Sequence, residues 1–313
     1  MNPRLKGYCL GITAAATYGM NPLFALPLYS AGMTADSVLF FRYAMAIPLL
    51  ACMTAIRGRS FRVTRRQTLT LAALGLLMAL SSLSLFLSYN YMDAGIASTI
   101  LFVYPVMVAV IMAAFYRERL SPVMIASITL ALGGIGLLYR TGDGQSLSLA
   151  GTALALASAL TYAIYIVAVN KSSLKYVATL SVTFYLLLFG VTLFGARLLI
   201  AGDIQLPPAD RWWLWGCLVC LAVFPTALSF VCTTGAIHYI GSTPTAILGA
   251  LEPVTAVVIG VSVFGERLTP REIIGLAAII AAVTAVIAAP RMSLRLSSVK
   301  RMFPRIPRRR HKR

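Results

Sequence analysis

The sequence predicts an all-α integral membrane protein: ten transmembrane helices arranged as two five-helix repeats of inverted topology. Three observations carry that expectation. Of the 313 residues 59% are hydrophobic and only 12% are charged, against about 25% charged in a soluble domain. Apolar runs of about 20 residues, each long enough to cross ~30 Å of hydrocarbon, recur along the whole length. The chain also repeats itself, and its Lys and Arg residues are distributed unequally between the two sets of loops.

The repeat is clearest where it is most polar. At a constant offset of 148 residues, Pro105 matches Pro253, and the run Glu118, Arg119, Leu120, Pro122 matches Glu266, Arg267, Leu268, Pro270. Apolar matches between membrane helices mean little, but a proline and a charged Glu-Arg-Leu-x-Pro at one spacing mark a duplicated unit. Ala79-Leu80-Ser81 matches Ala227-Leu228-Ser229 at the same offset, and Tyr91 matches Tyr239. Earlier in the copies the offset falls to 144, pairing Thr17-Tyr18 with Thr161-Tyr162, so the second copy carries about four extra residues around Asp203–Arg211.

Helix one, about 5–28, holds Tyr18, Gly19, Met20, Asn21 and Pro22, and Asn21-Pro22 should break or kink it. Helix two, 34–56, carries Phe41-Arg42-Tyr43. Helix three, 68–90, is studded with Ser81, Ser82, Ser84 and Ser88. Helix four, 94–116, has Tyr104-Pro105 partway along, and helix five, 121–139, opens at Pro122 near its first turn. The polar turn Arg140–Gly144 joins the copies. Helix six, 148–170, carries Tyr162 and Tyr165. Helix seven is 176–196, helix eight, 212–237, carries Thr226 and Ser229, helix nine, 242–264, carries Glu252-Pro253, and helix ten is 270–289. The domains are therefore 1–139, a linker 140–147, 148–289, and a basic tail 290–313.

Orientation follows from Lys and Arg. With the N-terminus in the cytoplasm, eleven bases fall in inside loops, ten more in the tail, and five outside, with Arg42 alone well inside a span. Both termini are then cytoplasmic, in a multi-pass inner (plasma) membrane protein. Five helices per copy is odd, so the copies thread the bilayer in opposite directions, an architecture of many secondary transporters with the substrate site near the midplane. The net charge of +18 follows this topology, and no nucleic-acid partner is expected. The tail suits contact with anionic lipid. Cys9, Cys52, Cys217, Cys220 and Cys232 are odd in number and lie in apolar runs, so they read as small packing residues. The run after Arg4 and Lys6 is long for a cleaved signal peptide and reads as the first span.

Glu252 leads the candidate site: an acidic group near mid-bilayer is costly and by default functional, the alternative being a protonated acid bonded to a neighbouring helix. Pro253 should free the carbonyl of Gly249, adding an acceptor nearby. Tyr104, the repeat-related twin of Glu252, offers a polar tip from the other copy. Arg42 could take a substrate carboxylate, although such arginines more often bond backbone carbonyls or snorkel. Tyr18, Asn21, Tyr162 and Tyr165 are further candidates to line a cavity, with Ser82, Thr226 and Ser229, residue types that also serve plain helix packing. One histidine, His238, makes no metal site, and no cofactor is expected. No G-x-x-x-x-G-K-[ST], H-E-x-x-H or G-x-S-x-G is present, so neither a self-powered pump nor an enzyme is expected.

Leu251-Glu252-Pro253-Val254, Gly265-Glu266-Arg267-Leu268-Thr269, the matching Glu118–Pro122 run and Phe41-Arg42-Tyr43 together resemble the EamA-type drug/metabolite transporters over about residues 5–289. Arg117 stands where that pattern usually has glycine, and the arginine-rich tail is no part of its core. The resemblance implies a bacterial inner-membrane transporter, typically an exporter of amino acids or other small metabolites, with a central cavity built from both repeats. It names no substrate. The expected function is a secondary carrier working by alternating access, facilitated or proton-coupled. The rival readings are a lipid-headgroup flippase and a non-transporting membrane sensor.

Overall fold

The computed structural model describes residues 3–58, 60–116, 122–138, 148–171, 174, 177, 179–240, 248–249, 251–271, 273–282 and 284–285. The Glu118-Arg119 turn, the 140–147 linker and the basic tail lie outside them. The helices are α1 (Pro3–Gly19), α2 (Asn21–Ser30), α3 (Ala35–Ile56), α4 (Arg65–Ser88), α5 (Ala94–Leu101), α6 (Tyr104–Tyr116), α7 (Pro122–Leu138), α8 (Leu149–Lys171), α9 (Thr179–Ala201), α10 (Trp213–Leu221), α11 (Ser229–Ile240) and α12 (Leu251–Phe264). A further apolar helix covers Ile273–Ala282.

Among the described residues seven helical runs are long and apolar enough to cross a membrane: Pro3–Ser30, Ala35–Ile56, Arg65–Ser88, Ala94–Phe115, Leu149–Ala168, Leu180–Ala201 and Trp213–Thr233. Three shorter apolar helices, Ile125–Gly134, Leu251–Phe264 and Ile273–Ala282, accompany them. The protein is thus an all-helical, multi-pass membrane protein.

Several runs expected as single helices are broken, each at a proline. The break in the first falls at Met20, so that Pro22 sits in the first turn of α2, where its missing N–H costs nothing. The run 94–116 stops at Leu101, turns through Phe102 and Val103, and restarts at Tyr104 with Pro105 second in α6. Between α10 and α11 the chain widens into a π-helical segment, Ala222–Leu228, around Pro225, where the sequence pattern suggested an unbroken helix. Glu252, expected about ten residues inside a helix, lies instead in the first turn of α12. The carbonyl of Gly249 is not freed by Pro253, because the Glu252 N–H donates to it at 2.9 Å.

Polarity is inverted relative to a soluble protein. Along α4, Leu69, Leu76 and Leu80 are exposed while Ser81, Ser82, Ser84 and Ser88 are buried. Hydrocarbon solvates the outer face, so burial is driven by close packing and interhelical hydrogen bonds. Helices of the first copy pack on those of the second: α1 on α11 and α12, α4 on α8 and α9, α3 on α9, α5 on α12. Ser81 and Ser158 illustrate the glue, each hydroxyl donating to the other's backbone carbonyl at 3.0 and 2.7 Å. Gly75 admits α9: a Cβ there would stand 2.8 Å from the Leu186 carbonyl. Cys232 is buried as expected of a packing residue, but Cys9 and Cys52 are exposed on the lipid-facing surface rather than packed.

Loops of the two copies touch directly. Thr34 N–H donates to Gln205 Oε1 at 2.6 Å, and Arg197 grips Asp36 through two bonds of 2.6 and 3.0 Å. Elsewhere, Ser181 and Tyr185 donate to the carbonyls of Ser60 and Phe61 at 2.9 and 2.7 Å, and Lys6 Nζ sits 5.0 Å over the Tyr239 ring.

Candidate functional site

The helix breaks converge. Gly19, the last residue of α1, presses on α12 so closely that a Cβ would stand 2.6 Å from the Glu252 carbonyl and 2.7 Å from Thr255 Cβ. That contact holds Tyr18 beside Glu252. Tyr18, Tyr89, Tyr104 and Tyr162 all lie within electrostatic reach of the Glu252 side chain. Tyr104 meets Tyr162 edge to face at 4.7 Å, and Tyr162 stacks on Tyr165 at 5.8 Å and 14°. Tyr18, Tyr104, Tyr162, Tyr165 and Glu252 each keep partial accessible surface, although they sit on helices at the centre of the bundle. The cluster draws on both copies: Tyr18 and Tyr104 from the first, Tyr162, Tyr165 and Glu252 from the second.

Arg42 forms a second pole. It is 1% exposed, its Nε donates to Thr226 Oγ1 at 2.6 Å, and Nη2 reaches the Pro225 carbonyl at 3.5 Å. The guanidinium carbon lies 5.3 Å over the Phe86 ring, a cation–π contact. Local sequence explains the cradle. Pro225 has no N–H to give to the Leu221 carbonyl, and the Thr226 hydroxyl donates there instead, at 2.8 Å, leaving its lone pairs for arginine. Among the described residues no carboxylate forms an ion pair with Arg42. Tyr18 and Tyr89 feel both poles, Arg42 and Glu252.

Of the sequence-derived candidates, Tyr18, Tyr104 and Tyr162 lie within electrostatic reach of Glu252, and Tyr165 stacks on Tyr162. Asn21 stands apart in character: it is 2% exposed and its Oδ1 has no hydrogen-bond partner in the structure. Ser82, Thr226 and Ser229 are all buried and already bonded. Ser82 Oγ pairs with Tyr43 OH at 2.8 Å, Ser229 donates to the Ala14 carbonyl at 2.9 Å, and Thr226 serves Arg42. They form the supporting layer behind the site. Sequence reasoning missed Phe86 and Tyr89. The signal was present, because Phe86 lies four residues after Ser82 on α4 and Tyr89, its C-cap, follows three later.

Among the described residues no group of three or more His, Cys, Asp or Glu could hold a metal ion. The two poles differ in chemistry: an acidic side chain among phenols at one, a cationic group held by neutral acceptors at the other.

The family model described as "EamA-like transporter family" matches twice, over residues 5–140 and 149–288. The "Threonine/homoserine exporter RhtA" of Salmonella typhimurium (strain SL1344) is 28% identical over 243 residues, covering 76% of this chain and 77% of that protein. The protein of the same description from Escherichia coli (strain K12) is 27% identical over the same length. An "Uncharacterized transporter" of Archaeoglobus fulgidus is 29% identical over 245 residues, 78% of this chain and 82% of its own. A solved structure described only as "Crystal structure of protein" superposes with a TM-score of 0.67 at 18% identity, covering 93% of this chain and 98% of that one.

Proposed function

The chain belongs to the EamA-like transporter family, and from that premise we propose that it is a secondary carrier exporting small amino-acid-like metabolites by alternating access. The observation that carries the proposal is the Glu252 carboxylate, set in the first turn of a broken helix and ringed by tyrosines from both copies. An ionisable side chain within an apolar bundle is costly and is by default a functional candidate.

The ten spans divide as 1–139 and 148–289, joined by 140–147, and run in opposite directions; the double match of the family model and the odd number of expected spans per copy support this. The excess of Lys and Arg in alternate loops favours cytoplasmic termini in the inner membrane, with the tail 290–313 resting on anionic lipid. Glu252 and the tyrosine ring would take a substrate ammonium group by charge and cation–π attraction, with Tyr18, Tyr104, Tyr162 and Tyr165 as the aromatic wall. Arg42, held against Thr226 and Phe86, would take the carboxylate, and the unpartnered Asn21 Oδ1 supplies an acceptor between spans. Ser82 and Ser229 hold Tyr43 and α1 in place. A zwitterion spans such a pair of poles without net charge transfer, so facilitated movement down a metabolite gradient suffices.

The test is counterflow of radiolabelled amino acids, threonine and homoserine first because the relatives' descriptions name them, into sealed proteoliposomes of the full chain. Wild type should exchange at least one of them. Glu252→Gln should insert normally and lose at least tenfold of that flux or change its pH dependence between pH 5 and 8. Wild-type behaviour of Glu252→Gln would make the residue structural. Scrambling of labelled lipid headgroups with no amino-acid flux would replace the carrier by a flippase.

A further inference from the structure

Glu266 belongs to the repeated Glu-Arg-Leu-x-Pro run, yet it stands apart from the central site. Gly265 ends α12 in the left-handed region (φ +69°), where an L side chain is strained, and the Glu266 N–H then reaches back to the Gly260 carbonyl at 3.0 Å. This closure ends the helix with a left-handed glycine at C′. It folds the Glu266 side chain back over the helix, onto the bare backbone of Gly260, where a methyl group would collide with the carboxylate.

The carboxylate does not stop at its own helix. It accepts the backbone N–H groups of Ala94 and Gly95, the first two residues of α5. Asp93, at the N-cap of α5, makes no side-chain cap of its own, so Glu266 supplies the cap from the other copy. Packing seals the joint: a Cβ at Gly95 would stand 3.1 Å from Val257 Cα of α12 and 3.4 Å from Glu266 Oε2. The titratable groups that reach Glu266 are Asp93 at the head of α5 and Tyr89 just past α4, while Arg267 and Arg271 on its own segment are exposed. Moreover, α5 is a half-helix of eight residues, separated from α6 by the turn at Phe102-Val103. Phe102 leans edge to face on Tyr104 at 5.9 Å. Whatever holds α5 therefore bears on the wall of the central site.

We propose that Glu266 is a proton-operated latch between the two copies, capping α5 in trans and closing the outer end of the pathway when protonated. The sign follows from environment. Burial first, and the Asp93 carboxylate second, push the Glu266 carboxyl up to about 7, with the Ala94 and Gly95 N–H groups opposing. Once α5 has swung away into water the same group returns to the ordinary carboxylate range. The closed state therefore binds the proton more tightly. Closure is fully favoured below the ordinary value and is lost as pH rises through about 7. The protonated acid can still accept both N–H groups through its carbonyl oxygen, and it can donate its own proton toward Asp93. The carboxylate form must instead sit half-buried beside a like charge.

The latch as a gate rests on the carrier reading; the latch as a contact does not, and hydrogen exchange reads the contact directly. In the full-length protein in nanodiscs, exchange of the 94–101 segment, corrected for intrinsic rates, should lose at least tenfold in protection between pH 5 and 7.5. Glu266→Gln, uncharged but still able to accept, should stay protected across that range. Glu266→Ala should be unprotected throughout, and Asp93→Asn should shift the midpoint downward. A flat wild-type profile, or Glu266→Gln following the wild-type curve, would overturn the proposal. If the latch behaves as described while no metabolite moves, the carrier reading falls alone. If metabolites move and exchange is flat, the latch falls alone.

Discussion

Removing the Thr226 hydroxyl should cost more stability than removing the arginine it serves. Thr226→Val keeps the side-chain volume but deletes two bonds at once: the 2.6 Å acceptance from Arg42 Nε and the 2.8 Å donation to the Leu221 carbonyl. A hydrogen bond to a charged group contributes about 1.5–3 kcal/mol and a neutral one about 0.5–1.5 kcal/mol, so the loss should be about 2–4 kcal/mol. Arg42 would then keep only a long 3.5 Å contact to the Pro225 carbonyl and the Phe86 face. Arg42→Met removes the buried charge together with its desolvation cost, and substitutions of that kind are often close to neutral. In the double variant the threonine should matter only through Leu221, so the coupling between the two positions should be about 1.5–3 kcal/mol. Reversible unfolding in mixed micelles, followed by far-UV circular dichroism, measures all four corners of the cycle. Additivity of the two costs within about 0.5 kcal/mol would refute the reasoning, because it would mean that Arg42 draws nothing from Thr226.

Two further tests address the frame around the site. Gly19→Ala places a methyl 2.6 Å from the Glu252 carbonyl, an overpacking worth about 1–3 kcal/mol that should also displace Glu252. Gly133→Ala, where nothing lies within 4 Å, should leave both stability and counterflow unchanged, and equal behaviour of the two variants would dismiss the close α1–α12 contact. The Asp36–Arg197 pair is short but half-exposed on the arginine side, and ion pairs of that kind contribute about 0–1 kcal/mol. Arg197→Ala should therefore unfold within about 1 kcal/mol of wild type in the same micelles, and a loss several times larger would mean the pair anchors the bundle rather than decorating its end.

What could be read from the residues was whatever composition and repetition encode. Apolar runs gave the spans, and the charged Glu-Arg-Leu-x-Pro gave the duplication, because a bilayer leaves a chain few alternatives to hydrogen-bonded helices. The central cluster was legible for a related reason: Tyr18, Tyr104, Tyr162 and Glu252 are polar tips in stretches where polarity is costly. The breaks were only half legible. Asn21-Pro22 announced the end of α1, but the restart at Tyr104 and the π-segment at Pro225 depend on which neighbour accepts the groups a proline leaves unpaired. Thr226 shows why. Its hydroxyl looks like a packing residue until the missing N–H of Pro225 and the approach of Arg42 from α3 give it two partners.

Glu266 carries the same lesson further. In the sequence it is one half of a repeat signature, and as a signature it reports ancestry and topology rather than work. Its chemistry exists only because Gly265 turns the chain back, Gly260 leaves room for the carboxylate, and α5 arrives from the other copy with bare N–H groups at its head. Ala94 and Gly95 are far from Glu266 in sequence, and no periodicity connects them. A duplicated chain whose copies pack on one another makes such meetings systematic, since each copy's helix ends are presented to the other copy's turns. Groups that look like boundary markers in one repeat are therefore the places to look for contacts that must break when the two repeats move.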